Sequence, residues 1–432
     1  MFGYQNDAVE WMNIREDDKI TPGGFLCHEM GLGKTHIVCK HIKNSIERAP
    51  RTLLLTTKST IGSWKDTLLF YSNFLFDIRI GTKCSLSPVR PVVVVATHNS
   101  VLKNDEWCIG QGFDRIVVDE AHVLRNRGKL FHKTLNISKT VKFRWGVTAT
   151  PFNNKDRDML AYAIFLRPFE VGVKGEIFKH YFLRKLRSEV VVGGPKLEIT
   201  KMVYDFETPE EQTMYDYVSK KIEDARETAR GHAVLTLILR MRQASIHPQL
   251  VLNSEKLWAK GLEWDPTKVT KLNKIIDLIK HDQSENKNTM VITHFEQELQ
   301  LIKDRLVADS IPFRILNGKT SILKRRELEK KIDTSPAEVV LLQIQAGGVG
   351  ISLPWIHHVI NAAPDWNPFL EKQSIYRAYR INTEHDVLVT SMYLRNTIEI
   401  AMQLRQKEKL ERSVEWTNDS IESISEYVAM PE

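Results

Sequence analysis

Five residues, Gly31-Leu32-Gly33-Lys34-Thr35, have the types and spacing to hold a polyphosphate. They follow a strand-like run, GGFLC, and precede a helical pattern. Glycines let backbone N–H groups approach phosphate oxygens, and the positive end of the helix dipole adds to the attraction. Lys34 then reaches the β- and γ-phosphates, and the Thr35 hydroxyl helps hold Mg²⁺. The strict GxxxxGK[ST] pattern wants glycine where His28 stands, so a glycine-containing turn before a helix is the plainer alternative. A second constellation, Asp119-Glu120-Ala121-His122, narrows the choice. Asp119 closes the apolar run Ile116–Val118, which sets its carboxylate at the carboxyl end of a strand. There it can hold the cation, while Glu120 orients or deprotonates the attacking water. An acidic pair after a strand is often only a solvated turn. The two motifs in this order favour nucleotide hydrolysis.

Elements able to position these groups are visible on both sides of them. Short apolar runs at Gly24–Cys27, Thr52–Thr56, Pro91–Ala96, Arg115–Asp119 and Arg144–Thr148 alternate with amphipathic stretches such as Thr35–Ile46 and Thr60–Tyr71. Strands alternating with helices predict βαβ units and a parallel sheet, whose buried strands read as near-continuous apolar runs. From Pro168 to Trp264 the pattern becomes helical, with Glu207–Arg230 charged and Ala233–Ile246 apolar-rich. The alternation resumes at Thr289–Thr293, Pro312–Leu316, Glu338–Gln343, His358–Ala362 and Asp386–Tyr393. The predicted class is α/β: two parallel-sheet lobes with a helical protrusion between them. The expected division is 1–168, 169–264, 265–412 and a peripheral acidic tail over 413–432.

Composition agrees with a soluble globular chain of more than one core. Its 432 residues are 42% hydrophobic and 27% charged, which excludes disorder, collagen-like repeats and small disulfide scaffolds. The apolar run Pro91–Ala96 is strand-length, so no membrane span is expected. Lysine and arginine exceed the acids, 61 to 54, for a net +7, an excess compatible with nucleic acid. Cys27, Cys39, Cys84 and Cys108 lie far apart with no CxxC, which argues against zinc and suits a reducing cytosol or nucleus. The first residues are neither a secretory signal nor a transit peptide.

With these motifs placed, the chain resembles the Swi/Snf family of DNA-dependent ATPases, within the superfamily II helicase-type motors. GYQNDAVEWM is similar to the family's opening Tyr-Gln segment, and GGFLCHEMGLGKT to its phosphate loop. TLLLTTKSTIGSWKDTL, VVDEAHVLRNRGKLF and WGVTATPFNN follow in family order. FLRKLRSEV, LRMRQASIHPQLV, MVITHFEQEL, RILNGKTSILKR, AGGVGISLPWIHHVINAAPDWNP and QSIYRAYRI continue it.

The resemblance implies that both lobes are RecA-like, with ATP and Mg²⁺ in a cleft between them. It assigns Gln5 to adenine, and Gly31, Gly33, Lys34, Thr35, Gly350, Arg377 and Arg380 to the nucleotide. Lys34, Asp119 and Glu120 are its catalytic residues, with Arg377 and Arg380 as arginine fingers; Thr35 and Asp119 serve the metal. Coupling falls to Thr148, Ala149, Thr150, Gly347, Gly348 and Gln373. Lys58, Ser59, Thr97, Asn317, Gly318 and Lys319 are expected to meet the DNA backbone, although a lone Lys58 or Lys319 also reads as an ordinary surface lysine. Lys324–Arg326, interleaved with Glu327 and Glu329, reads as a solvated helix face. Asp7, Trp11 and Trp145 read as packing or capping. Double-stranded DNA is the implied partner, engaged by a monomer, with histones or transcription proteins as further candidates and the nucleus, or a cytoplasmic replication site, as the location. The chain leaves no room for an appended chromatin-reading module; that economy resembles viral members of the family. The family's final motif is altered: Tyr376, Tyr379 and Asn382-Thr383 replace its Asp, His and Gly-Gln, which puts the rate in question. Two alternatives stand beside the translocase reading, a strand-separating helicase and a nucleotide-binding regulator that has lost turnover.

Overall fold

Val92–Val95 show how the first sheet is built. Val92 and Val94 enter one core layer with Phe25, Leu53, Leu55, Ile116 and Val118. Val93 and Val95 enter the other with Leu54, Trp64, Val117 and Trp145. A strand covered on both faces must be apolar at every position, which is why these segments show no alternation. The computed structural model describes residues 1–151, 156–166, 180–190, 193–228, 231–252, 265, 267–331, 336–345 and 351–418. The chain divides into two compact units, Met1–Gly193 with Lys409–Glu432, and Gly194–Glu408.

The first unit carries β1 (Gly23–Leu26), β2 (Arg51–Thr56), β3 (Asp77–Ile80), β4 (Val92–Thr97), β5 (Arg115–Asp119), β6 (Phe143–Val147) and β7 (Phe182–Leu183). Their order is β3-β4-β2-β5-β6-β1-β7, and every pairing is parallel. Gly23 opens β1 at φ +140°, where a Cβ would stand 1.9 Å from the Arg144 carbonyl oxygen. Only glycine permits β1 and β6 to close there.

The second unit carries β8 (Leu197–Tyr204), β9 (Thr289–Thr293), β10 (Phe313–Leu316), β11 (Val339–Gln343), β12 (His358–Asn361) and β13 (Val387–Leu394). These lie in the order β10-β11-β9-β12-β13-β8, all parallel. The two α/β sheets are as the apolar runs predict. Three segments differ: β3 matches none of the apolar runs, and β7 and β8 lie inside the stretch read as helical. Residues 197–204, inside the stretch read as helical, form the edge strand β8, in register with β13 from Leu197↔Val387 to Tyr204↔Leu394. The helices Pro209–Thr228, Gly231–Ile246 and Pro248–Leu252 follow it.

Each unit ties its helices to its sheet through a buried charge. Glu16, at the end of the helix Gly3–Glu16, accepts from Arg115 Nε (2.6 Å) and Nη2 (2.7 Å) and from Trp145 Nε1 (2.9 Å). His41 Nε2 lies 2.9 Å from the same carboxylate, and Arg115 also donates to Ser45 Oγ at 2.7 Å. In the second unit Lys271 meets Glu399 at 2.5 Å and donates to the Ala362 carbonyl at 2.8 Å. Glu399 accepts in turn from Ser245 Oγ and Leu394 N, each at 2.9 Å.

Burial alone would raise the Glu16 pKa; the Arg115 charge, aided by His41, outweighs it and holds the carboxyl well below its usual 4.5. The stabilisation is therefore complete above the unfolded value and is lost as pH falls toward the folded one. Glu16→Ala, which strands a buried guanidinium, is expected to lower stability in urea by about 3–5 kcal/mol. The stability gap between the parent and Glu16→Gln should be widest at neutral pH and narrow below about pH 4.5. A pH-independent gap would show that Glu16 does not carry this charge.

Candidate active site

The loop between β1 and the helix Lys34–Asn44 is set by two glycines at positive φ, Gly31 (+82°) and Gly33 (+75°). A Cβ on Gly33 would stand 2.6 Å from Gln5 Nε2, so the opening helix packs directly on the loop. Gln5 Nε2 donates to the Leu32 carbonyl at 3.2 Å, Tyr4 Oη donates to the same oxygen at 3.0 Å, and Gln5 Oε1 accepts from Phe2 N. Gln5 thus holds the loop as well as facing it. Lys34 Nζ turns back over the loop and donates to the carbonyls of His28 (2.7 Å) and Glu29 (3.2 Å). Thr35, half-buried, stands in the helix's first turn. The other rim is the segment Tyr181–Arg187: Cys27 N donates to Leu183 O, Glu29 N to Lys185 O, and Arg187 N to Glu29 Oε2.

Asp119, the last residue of β5, is held at the carboxyl end of the same sheet. Its Oδ2 accepts from Thr56 Oγ1 and Trp64 Nε1, both at 2.7 Å, and its Oδ1 from Glu120 N at 3.0 Å. Burial, then the neighbouring Glu120 charge, pushes its pKa up to about 6 against these hydrogen bonds. Glu120 sits at φ +49°, a left-handed turn that swings its carboxylate to within 3.1 Å of His122 Nδ1. Cys39 and Val117 pack in one core layer, so the helix Lys34–Asn44 and β5 face one another. A hydroxyl on Thr35 and a carboxylate on Asp119 are hard oxygen donors of the kind Mg²⁺ takes. Among the described residues the donors to Asp119 are neutral and no cation pairs with it, which fits that assignment.

The remaining predicted residues of this unit border the same sheet end. Thr148 N donates to the Leu26 carbonyl (3.1 Å), Thr150 N to Thr148 Oγ1 (3.2 Å), and Arg125 Nη1 to Thr150 O (3.3 Å). The segment Thr148–Thr150, with Ala149 between, therefore links β1 to the turn after Asp119. Lys58 is exposed and Ser59 bonds Thr57 at 2.8 Å in the turn after β2. Thr97 spends its hydroxyl as an N-cap, accepting from Ser100 N at 3.0 Å. Thr56 emerges from the geometry alone; Tyr4 stands in the Tyr-Gln segment of the resemblance, which gave it no role of its own. Trp64 carried only a family match.

Within the second unit, Arg377 Nη1 and Arg380 Nη2 both donate to the Ile351 carbonyl, at 3.2 and 3.3 Å. Burial lowers the Arg380 pKa to about 10, partly opposed by Glu329. The altered residues have structural work here. Tyr379 Oη donates to the Pro195 carbonyl at 2.7 Å. Thr383 Oγ1 accepts from Arg380 N and donates to Ala378 O, both at 2.9 Å, closing the arginine turn. Gln373 lies half-buried in the helix Pro368–Ile375. Gly347, Gly348 and Gly350 lie outside the described residues. Asn317 Oδ1 accepts from Lys319 N at 3.0 Å around Gly318, and exposed Lys319 reaches Glu296 at 2.8 Å. An open groove of about 680 Å³ adjoins this turn, lined among others by Arg314, Lys324 and Glu338.

A nucleotide loop and an acidic strand end on one parallel sheet, followed by a second such sheet with paired arginines, define a helicase-like ATPase. Residues 4–197 match the SNF2-related domain and residues 268–382 the helicase conserved C-terminal domain. The chain is 26% identical over 446 residues to a probable global transactivator of Orgyia pseudotsugata multicapsid polyhedrosis virus, covering 94% of this chain and 89% of that protein. It is 26% identical over 447 residues to an uncharacterized ATP-dependent helicase of Mycoplasma genitalium, covering 94% and 41%. An ISWI chromatin-remodeling complex ATPase of Arabidopsis thaliana is 24% identical over 450 residues, covering 94% and 41%. The chain thus spans less than half of these last two relatives. A solved SWI2/SNF2 ATPase core of Sulfolobus solfataricus in complex with dsDNA is similar at 20% identity and TM-score 0.44, covering 100% of this chain and 95% of that one. The protein belongs to the SNF2-related helicase-like ATPases.

Trp64 and Thr56 favour the ionised form of Asp119. Trp64→Phe, which removes one donor, is expected to move the acid limb of the kcat/KM–pH profile for ATP hydrolysis to higher pH, starting from a limb near pH 6. An unmoved limb would show that another group sets it.

Proposed function

We propose that this protein is an ATP-driven translocase on double-stranded DNA that remodels nucleoprotein without separating strands, in the service of transcription regulation. The observation that carries the reading is the convergence of Lys34, Thr35, Asp119 and Glu120 at one sheet end, in a chain with both motor domains of its family. Lys34, now donating to two carbonyls, would exchange them for the β- and γ-phosphates. Gln5 would turn from the loop toward adenine, beside Gly31 and Gly33. Thr35 and Asp119 would hold Mg²⁺, which when bound neutralises phosphate charge. Glu120 would position or deprotonate the water. Arg377 and Arg380 would compensate the charge developing on the transferred phosphoryl group, a contribution of about 10³–10⁵ in rate in enzymes of this kind. Thr148–Thr150, Gln373 and the glycines at 347, 348 and 350 would couple nucleotide state to movement.

Duplex DNA is favoured by the exposed Lys58 and Lys319 and by the basic residues beside the Asn317–Lys319 turn. Phosphate contacts of this kind position a protein without reading sequence and weaken with salt. The names of the viral and Arabidopsis relatives support transcription regulation and nucleoprotein as the setting, with histones or transcription proteins as partners of a monomer. A nuclear location, or a cytoplasmic replication site, follows from that setting.

Phosphate release measured against a panel of nucleic acids tests the proposal. Duplex DNA should stimulate more than RNA, and Lys34→Ala or Glu120→Gln should reduce turnover by about 10²–10⁴-fold. Turnover indifferent to nucleic acid would overturn the translocase reading. Separation of a blunt, unforked duplex would replace it with a strand-separating helicase.

A further inference from the structure

The peptide unit joining Leu32 to Gly33 lies within the phosphate loop, and two side chains of the opening helix hold it by its oxygen. Tyr4 Oη donates to the Leu32 carbonyl at 3.0 Å, and Gln5 Nε2 donates to the same oxygen at 3.2 Å. A trans peptide points its C=O and its N–H in opposite directions. Fixing the Leu32 oxygen toward the helix Gly3–Glu16 therefore turns the Gly33 N–H away from that helix. Gly33 itself sits at φ +75°, and a Cβ there would stand 2.6 Å from Gln5 Nε2, so the loop closes tightly on this pair. The two donors are not equivalent. Gln5 is the residue expected to turn toward adenine, which would take its amide off the carbonyl. Tyr4 has no such second task. Its hydroxyl accepts from Gln5 Nε2 at 3.3 Å. Its ring meets that of Phe2 at 6.1 Å and 16°, and that of His28 at 6.0 Å and 54°.

We infer that Tyr4 is a positioning residue for ATP hydrolysis: by anchoring the Leu32 carbonyl it keeps the Gly33 N–H turned toward the phosphates, whatever base the nucleotide carries. The inference rests on the reading that this loop meets phosphates. Backbone N–H groups of such a loop attract an anion only while they face it; a peptide free to rotate would present its oxygen instead, which repels phosphate. A donor fixed beforehand costs no reorganisation when the charge arrives. Tyr4 supplies that fixing from outside the loop, and it remains in place when Gln5 leaves.

The test uses a ligand that has no base. Inorganic tripolyphosphate with Mg²⁺ is measured as a competitive inhibitor of ATP hydrolysis by the full-length protein with duplex DNA present. Tyr4→Phe, which removes only the hydroxyl, should raise the tripolyphosphate Ki about three- to tenfold. It should raise KM for ATP at least as much, while kcat changes less. An unchanged Ki would overturn the inference. A rise confined to the KM for ATP would do the same, because it would set the hydroxyl at the base. So would a lower thermal midpoint with Ki unmoved, the mark of a purely structural hydroxyl. Gln5→Ala removes the other donor to the same oxygen and supplies the second measurement, which decides alone should Tyr4→Phe fail to fold. It should also raise the tripolyphosphate Ki, whereas a glutamine concerned with adenine alone would leave Ki unmoved and the inference would fall. If tripolyphosphate does not compete with ATP in the parent, the phosphate-loop reading fails and the inference with it. If it competes equally well in the parent and in Tyr4→Phe, the inference fails and the loop reading stands.

Discussion

The carboxylate of Glu16 is the interaction on which the first unit depends. It is fully buried at the amino end of the sheet, and its three partners come from three different elements. His41 lies on the helix Lys34–Asn44, Arg115 opens β5, and Trp145 lies on β6. The opposite ends of those elements carry Lys34, Asp119 and Thr148. One charge at the base thus sets the register of three arms that meet at the top. The helix that ends in Glu16 begins with the segment holding Gln5, so a fourth arm is fixed by the same anion. Burying an ion pair is expensive, and an apolar replacement of the whole set can be as stable. An apolar cluster, however, would let the elements slide, whereas a bidentate guanidinium and an indole N–H accept one arrangement.

At the functional end the logic is reversed. Lys34 donates to backbone carbonyls, and Asp119 accepts from a hydroxyl, an indole and an amide. The donors to Asp119 are neutral, so they orient its charge without cancelling it. A charge held by dipoles costs little reorganisation when a counter-charge arrives, which is the condition for electrostatic catalysis. Paired ions hold the frame; neutral donors and acceptors hold the chemistry.

This contrast explains what could be read from the sequence. Strands buried on both faces demand uninterrupted apolar residues, so β2, β4, β5, β9 and β11 announce themselves. Strand β8 does not: as an edge strand it leaves Ile199 and Val203 exposed and carries Glu198 and Lys201. The pattern LEITKMVY therefore has no buried face to report, and its helical neighbours decide the reading. Strand β3, with DIRI half-exposed at the other sheet's edge, is silent for the same reason. Lys34, Thr35, Asp119 and Glu120 are legible because phosphate chemistry fixes their spacing along a short stretch of chain. Glu16 and Arg115 are 99 residues apart, and Glu16 and Trp145 are 129 apart. No local pattern links them, and a lone glutamate at a helix end reads as solvated.

The altered final motif fits the same physics. A motif of this kind must do two things: present its arginines and hold the turn that carries them. Presentation depends on the arginines themselves, and Arg377 and Arg380 converge on one carbonyl. Holding the turn depends only on some hydroxyl reaching the right backbone groups. Thr383 does this for Arg380 N and Ala378 O, and Tyr379 does it for Pro195, at the start of the chain leading into β8. Because β8 pairs with β13, which follows the arginine turn, the Tyr379 bond closes a loop between two adjacent strands of one sheet. Of the side chains that depart from the family pattern, Tyr379 and Thr383 thus do work that another well-placed hydroxyl could perform, while the groups whose charge the reaction needs are retained.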